Sequence, residues 1–151
     1  FWARAVEYQG RVYAASLDGK VYALDERSGK PSWSQPFEAT SEIRASPVIV
    51  DGTLVVASAG GQVYGIDTDS GRPRWPAPFV VGGAVTTDLA TADGVIYVHA
   101  QDDVLLGLQA ANGGLLWSFP LKIPKKLGWC CDRAVESHIH QANVEQPHRA
   151  V

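Results

Sequence analysis

Residues 46–75 read SPVIVDGTLVVASAGGQVYGIDTDSGRPRW, and this stretch decides the fold. Ser46-Pro47-Val48-Ile49-Val50 is a short β-branched run with its proline at the start, where a missing N–H costs least. Asp51-Gly52 is a hairpin signal, and Thr53-Leu54-Val55-Val56-Ala57-Ser58 makes the second strand. Gly60-Gly61 turns the chain into a third strand, Gln62 to Asp67. The Asp67-Thr68-Asp69-Ser70-Gly71 turn follows, and Arg72 to Trp75 supplies a fourth strand. Helical periodicity is absent.

The pattern recurs on both sides at a period of 42 residues. Trp33, Trp75 and Trp117 keep that spacing, as do Gly10, Gly52 and Gly94, Gly29, Gly71 and Gly113, and Pro36, Pro78 and Pro120. Several unrelated residue types at one offset are the mark of a repeat architecture. The first copy runs from Gly10 through Asp25 to Trp33. In the third, Asp93 to Val98 is intact, Asp102-Asp103 replaces the glycine turn and Gln109 replaces the aspartate. Upstream of each tryptophan a small residue, Ala23, Gly65 or Gly107, holds a fixed position, which suggests an indole laid against backbone. Four strands of about six residues fill one repeat, the size of a four-stranded propeller blade. The expected fold is all-β: a partial β-propeller of about three four-stranded antiparallel blades, over residues 1–121.

The strand, the Asp-Gly turn, the Tyr-Ala-Leu-Asp segment (Tyr22 to Asp25) and the glycine and tryptophan at three-residue gaps resemble the pyrroloquinoline-quinone (PQQ)-like β-propeller repeat family. The resemblance covers residues 4 to about 121. It implies that Trp33, Trp75 and Trp117 dock between neighbouring blades, with Ala23, Gly65, Gly107, Gly29, Gly71 and Gly113 as their structural partners. Members include BamB-like envelope proteins, which bind no quinone, and quinoprotein dehydrogenases, which use PQQ with calcium. The first class implies a non-catalytic scaffold for protein partners in the periplasm or cell envelope, with no cofactor. The alternative is a fragment of a PQQ-dependent alcohol dehydrogenase.

Composition narrows the field. A net charge of -3 argues against nucleic acid, whose binding needs a basic face. No apolar run approaches the roughly 20 residues of a membrane helix. The chain starts at Phe1 and has no methionine, so a longer translation product is expected. A ring needs about four to eight blades. Two full copies, and a third lacking at most its first strand, leave an open edge to be covered by further blades or by an oligomer. The isolated chain is expected to be marginal, oligomeric or aggregation-prone.

Residues 122–151 form a non-repeat tail in which glycine falls away and both cysteines appear. It is a passage into another domain, a degenerate insertion or non-native sequence, and the composition shift favours the last two. Cys130-Cys131-Asp132 matches, by resemblance, the adjacent cysteines beside the quinone of alcohol dehydrogenases. The Arg133-Ala134-Val135-Glu136-Ser137 that follows departs from that pattern, and no calcium-ligand set can be matched. Adjacent cysteines with His138 and His140 fit zinc spacing badly. Asp67 to Gly71 imitates a calcium loop, but Pro78 stands where the closing glutamate belongs. His99 reads as a half-buried strand histidine, and the lysines at 122, 125 and 126 as a solvated linker. No catalytic, cofactor-binding or metal residue is assigned.

Overall fold

The computed structural model describes residues 3–121, and the tail with its cysteines and histidines lies outside them. The described chain is three separate four-stranded antiparallel meanders, with no helix. The first holds β1 (Val6–Tyr8), β2 (Arg11–Ala15), β3 (Lys20–Asp25) and β4 (Phe37–Glu38). The second holds β5 (Val48–Val50), β6 (Thr53–Ala57), β7 (Gln62–Asp67) and β8 (Phe79–Val80). The third holds β9 (Ala90–Ala92), β10 (Val95–Ala100), β11 (Val104–Gln109) and β12 (Leu115–Pro120), so the third copy has its first strand.

The hairpins owe their register to turn chemistry. Gln9-Gly10, Asp51-Gly52 and Asp93-Gly94 all have positive φ at both residues, the requirement of a type I′ turn. Register follows directly, with Val50 opposite Thr53 and Val95 opposite Ala92. Where the third copy lacks the second-turn glycine, Asp103 takes the left-handed conformation itself, at φ 59°.

The fourth strand departs from expectation. Arg72 to Trp75 forms only an isolated bridge, Ile66 with Pro73, and the strand pairing β7 is Phe79–Val80. Pro73, Pro76 and Pro78 remove three donors within six residues, so no ladder can run there. The first copy behaves alike, with Leu24 bridging Pro31. No proline lies between Gly113 and Ser118 in the third copy, and β12 runs unbroken past Trp117, with a register shift at Gly107/Leu108.

Two cores lie between the three sheets. One joins Tyr13, Ala15, Val21, Ala23 and Trp33 of the first repeat to Leu54, Val56, Tyr64 and Ile66 of the second. The other joins Val55, Ala57, Val63 and Trp75 of the second to Ile96, Val98, Leu106 and Leu108 of the third. Alternate residues of each strand therefore face opposite neighbours. β6 is buried at all five positions because both its faces are covered, whereas β10 alternates between buried and half-buried. β1, β5 and β9 lie side by side along the inner edge. There the Arg4 N–H donates to Ser46 Oγ at 2.9 Å and the Ser46 N–H to Asp88 Oδ1 at 2.8 Å.

Candidate functional site

Two of the recurring tryptophans, Trp33 and Trp75, are held from both sides. Trp75 follows its own sheet closely: the Arg74 N–H donates to the Gly65 carbonyl, and a Cβ on Gly65 would fall inside the indole. Its Nε1 reaches forward, donating to the Ala110 carbonyl of the next repeat at 2.9 Å. A Cβ on Gly113 would stand 2.5 Å from Trp75 Cε3. Trp33 repeats the arrangement one blade earlier, with Nε1 on the Thr68 carbonyl at 2.9 Å and a Gly71 Cβ at 2.6 Å from its Cδ2. Ala23 is buried in the same core cluster as Trp33. The seam is tied further by the Tyr13 hydroxyl on the same Thr68 carbonyl at 3.0 Å. An Arg11–Asp69 ion pair at 2.6 Å adds a contact at its exposed margin.

Trp117 meets Gly107 of its own sheet, with a Gly107 Cβ 2.5 Å from its Cε2, and Tyr97 at 6.0 Å between ring centroids. Among the described residues no following repeat covers it, and it is 40% exposed, against 6% for Trp33 and 3% for Trp75. Gly29 is its counterpart at the other end: a Cβ there would meet nothing within 4 Å.

The aspartates of the recurring turns are structural in geometry. Asp67 accepts from the Ser70 hydroxyl at 2.7 Å and the Ser70 N–H at 3.0 Å, and Asp25 accepts likewise from Ser28. The Ser70 hydroxyl holds the Asp67 carboxyl below its ordinary range, and the Ser28 N–H does the same for Asp25. Hydrogen bonds from Ser46, its hydroxyl first, lower Asp88. Among the described residues no group of three or more His, Cys, Asp and Glu comes together that could hold a metal ion. Asp67 is thus a turn residue. His99 is half-buried on β10, with Nε2 buried and without a hydrogen-bond partner among the described residues. A shallow groove of about 340 Å³ opens between the second and third sheets, beside Asp51, Arg74, Asp93 and Gln109. Arg74 is already engaged there with the Gly52 carbonyl and Asp67.

The carbonyls of Thr68 and Ala110 escape sequence reading, since a backbone acceptor has no residue signature. Arg4, Ser46 and Asp88 share one repeat position, but three different residue types conceal it.

Three consecutive four-stranded meanders, packed face to face through alternating positions, define blades of a β-propeller. The family model described as outer membrane protein assembly factor BamB matches residues 17–138, and the chain belongs to that family. Solved structures share the fold at low identity. BamB from Moraxella catarrhalis superposes with a TM-score of 0.68 at 18% identity, over 78% of this chain and 35% of that one. Quinohemoprotein alcohol dehydrogenase ADHIIG from Pseudomonas putida HK5 gives 0.67 at 17%, over 78% and 20%. The computationally designed Ika4 protein gives 0.63 at 17%, over 79% and 74%. The chain thus spans about a third of the BamB structure and a fifth of the dehydrogenase. No curated protein sequence matches it significantly. No helix among the described residues is long and apolar enough to cross a membrane.

Proposed function

We propose that the protein is a non-catalytic propeller scaffold of the BamB type, working in the bacterial envelope on protein partners engaged in outer-membrane protein assembly. The observation that carries this reading is the match to the assembly-factor family over residues 17–138. The use of the recurring residues supports it. In this reading Trp33 and Trp75 with Gly65, Gly71 and Gly113 serve as blade-docking elements, Trp117, Gly107, Ala23 and Gly29 occupy the equivalent positions, and the aspartates shape turns. In this reading no cofactor is bound.

The similarity to quinohemoprotein alcohol dehydrogenase favours one alternative, a piece of a PQQ-dependent enzyme. Among the described residues, in a chain that covers a fifth of that enzyme, no group of three or more His, Cys, Asp and Glu gathers. Cys130-Cys131-Asp132, the motif that would stand beside the quinone, lies outside the described residues.

The two readings part in one experiment. A tagged chain expressed in an outer-membrane-bearing bacterium is recovered from detergent-solubilised envelopes, and separately incubated with PQQ and calcium. Co-purification of outer-membrane assembly components without quinone absorbance is the expected result. Quinone absorbance with alcohol-dependent dye reduction overturns the scaffold reading, as does recovery without any assembly component.

A further inference from the structure

The two internal seams share one plan but are finished differently at the end where the Asp-Gly hairpins lie. In the first seam Arg11 of β2 crosses to the second repeat. Its Nη1 donates to the Thr68 carbonyl at 3.3 Å and to Asp69 Oδ1 at 2.6 Å. The same carbonyl takes the Trp33 Nε1 at 2.9 Å and the Tyr13 hydroxyl at 3.0 Å, so three donors meet on one oxygen. One period later Thr53 stands for Arg11, Val55 for Tyr13, Ala110 for Thr68 and Ala111 for Asp69. Trp75 Nε1 is the only described side-chain donor left to the Ala110 carbonyl.

The space that an arginine fills in the first seam is open in the second. The groove of about 340 Å³ lies there, bordered by Thr53, Ala110 and Ala111, and both its walls are described sheets. Thr53 is 2% exposed, and no hydrogen bond among the described residues uses its hydroxyl. Asp51 and Asp93, on the two flanking hairpins, enter none of the four ion pairs of the described residues. Arg74, on the same rim, is turned to the Gly52 carbonyl and Asp67.

We propose that this groove receives an arginine side chain of a partner protein, in the place that Arg11 takes in the first seam. A guanidinium is a planar fork of donors with no acceptor, which suits a site whose unused groups accept. The Ala110 carbonyl and the Thr53 hydroxyl receive it at the floor. Asp51 and Asp93 take its charge at the rim, as Asp69 takes that of Arg11. Two carboxylates against one engaged guanidinium keep the rim negative, so an anion is the poorer fit. Val50, Val95 and Leu116 supply an apolar wall for the aliphatic stem. The inference deepens the scaffold reading by naming the partner's chemistry, and it rests on that reading for the source of the arginine. The probe below contains no assembly component, so the two can fail separately.

Amide NMR shifts of the isotope-labelled full chain, titrated at low ionic strength with the blocked peptide acetyl-Gly-Arg-Gly-amide, test it. Saturable shifts at Thr53, Gly94 and Ala111 are expected. The same peptide with citrulline, alike in shape but uncharged, should bind at least about ten-fold more weakly. Asp51→Asn with Asp93→Asn keeps a side chain that tolerates φ of 47° and 51°, and should weaken the arginine peptide roughly ten-fold. Thr53→Arg supplies the guanidinium from within and should abolish binding. If it does not fold, the paired asparagine variant decides. Glu38→Gln, on β4 of the first sheet, should leave binding unchanged. No saturable shift in the groove, equal binding of the citrulline peptide, or undiminished binding by the paired asparagine variant overturns the proposal. Tighter binding of free arginine than of the blocked peptide overturns the assignment to a partner protein.

Discussion

Trp75 and Trp117 are the same side chain at the same repeat position, yet their surroundings differ by a whole sheet. Trp75 is 3% exposed between Gly65 and Gly113, while Trp117 has only its own sheet beneath it and is 40% exposed. An indole buries about 150–250 Å², so the two should diverge in stability. Trp75→Ala is expected to cost about 3–5 kcal/mol. Trp117→Ala should cost less than half of that in dilute solution, and urea titration reads both. The glycines offer a second contrast. Gly71→Ala adds a Cβ 2.6 Å from the Trp33 ring at a φ of +73°, and is expected to cost about 2–5 kcal/mol. Gly29→Ala, at φ +67° with open space, should cost only the backbone strain of about 1–2 kcal/mol in a dilute thermal melt. Equal losses at the two glycines would show that the indole does not press on Gly71.

At the level of the element, turns and prolines decide more than strand propensity. The Asp-Gly hairpins are legible in the sequence because a type I′ turn demands positive φ at both residues and few sequences supply it. The fourth strand is not, because Arg72 to Trp75 looks strand-like while its neighbouring prolines deny it a ladder. The aspartate turns make an acid-sensitive element. Asp25 and Asp67 have folded-state pKa values below the ordinary 3.8, chiefly through the Ser28 N–H and the Ser70 hydroxyl. Their contribution is complete above the unfolded-state pKa and is lost as pH falls through the lower folded values. Melting temperature should therefore drop as pH is taken below about 3.8. Asp67→Asn should lower the melting temperature at pH 6 and make the acid decline shallower. A parallel acid decline in the variant would remove Asp67 from this account.

For the whole molecule, the 42-residue period specified the number and kind of sheets, since recurring turns and alternating apolar residues need no knowledge of distant contacts. It also placed a glycine and an indole in every copy. The sequence left open which glycine meets which indole, because its own-sheet partner and the turn glycine of the following repeat are equally regular in spacing. Packing answered this: each of the first two indoles is held by both, one beneath it and one from the next sheet. The difference between buried Trp75 and exposed Trp117 and the Thr68 and Ala110 carbonyls as acceptors also belong to the tertiary level alone. Identical repeats carry identical local instructions, and only the presence or absence of a neighbouring sheet makes them unequal.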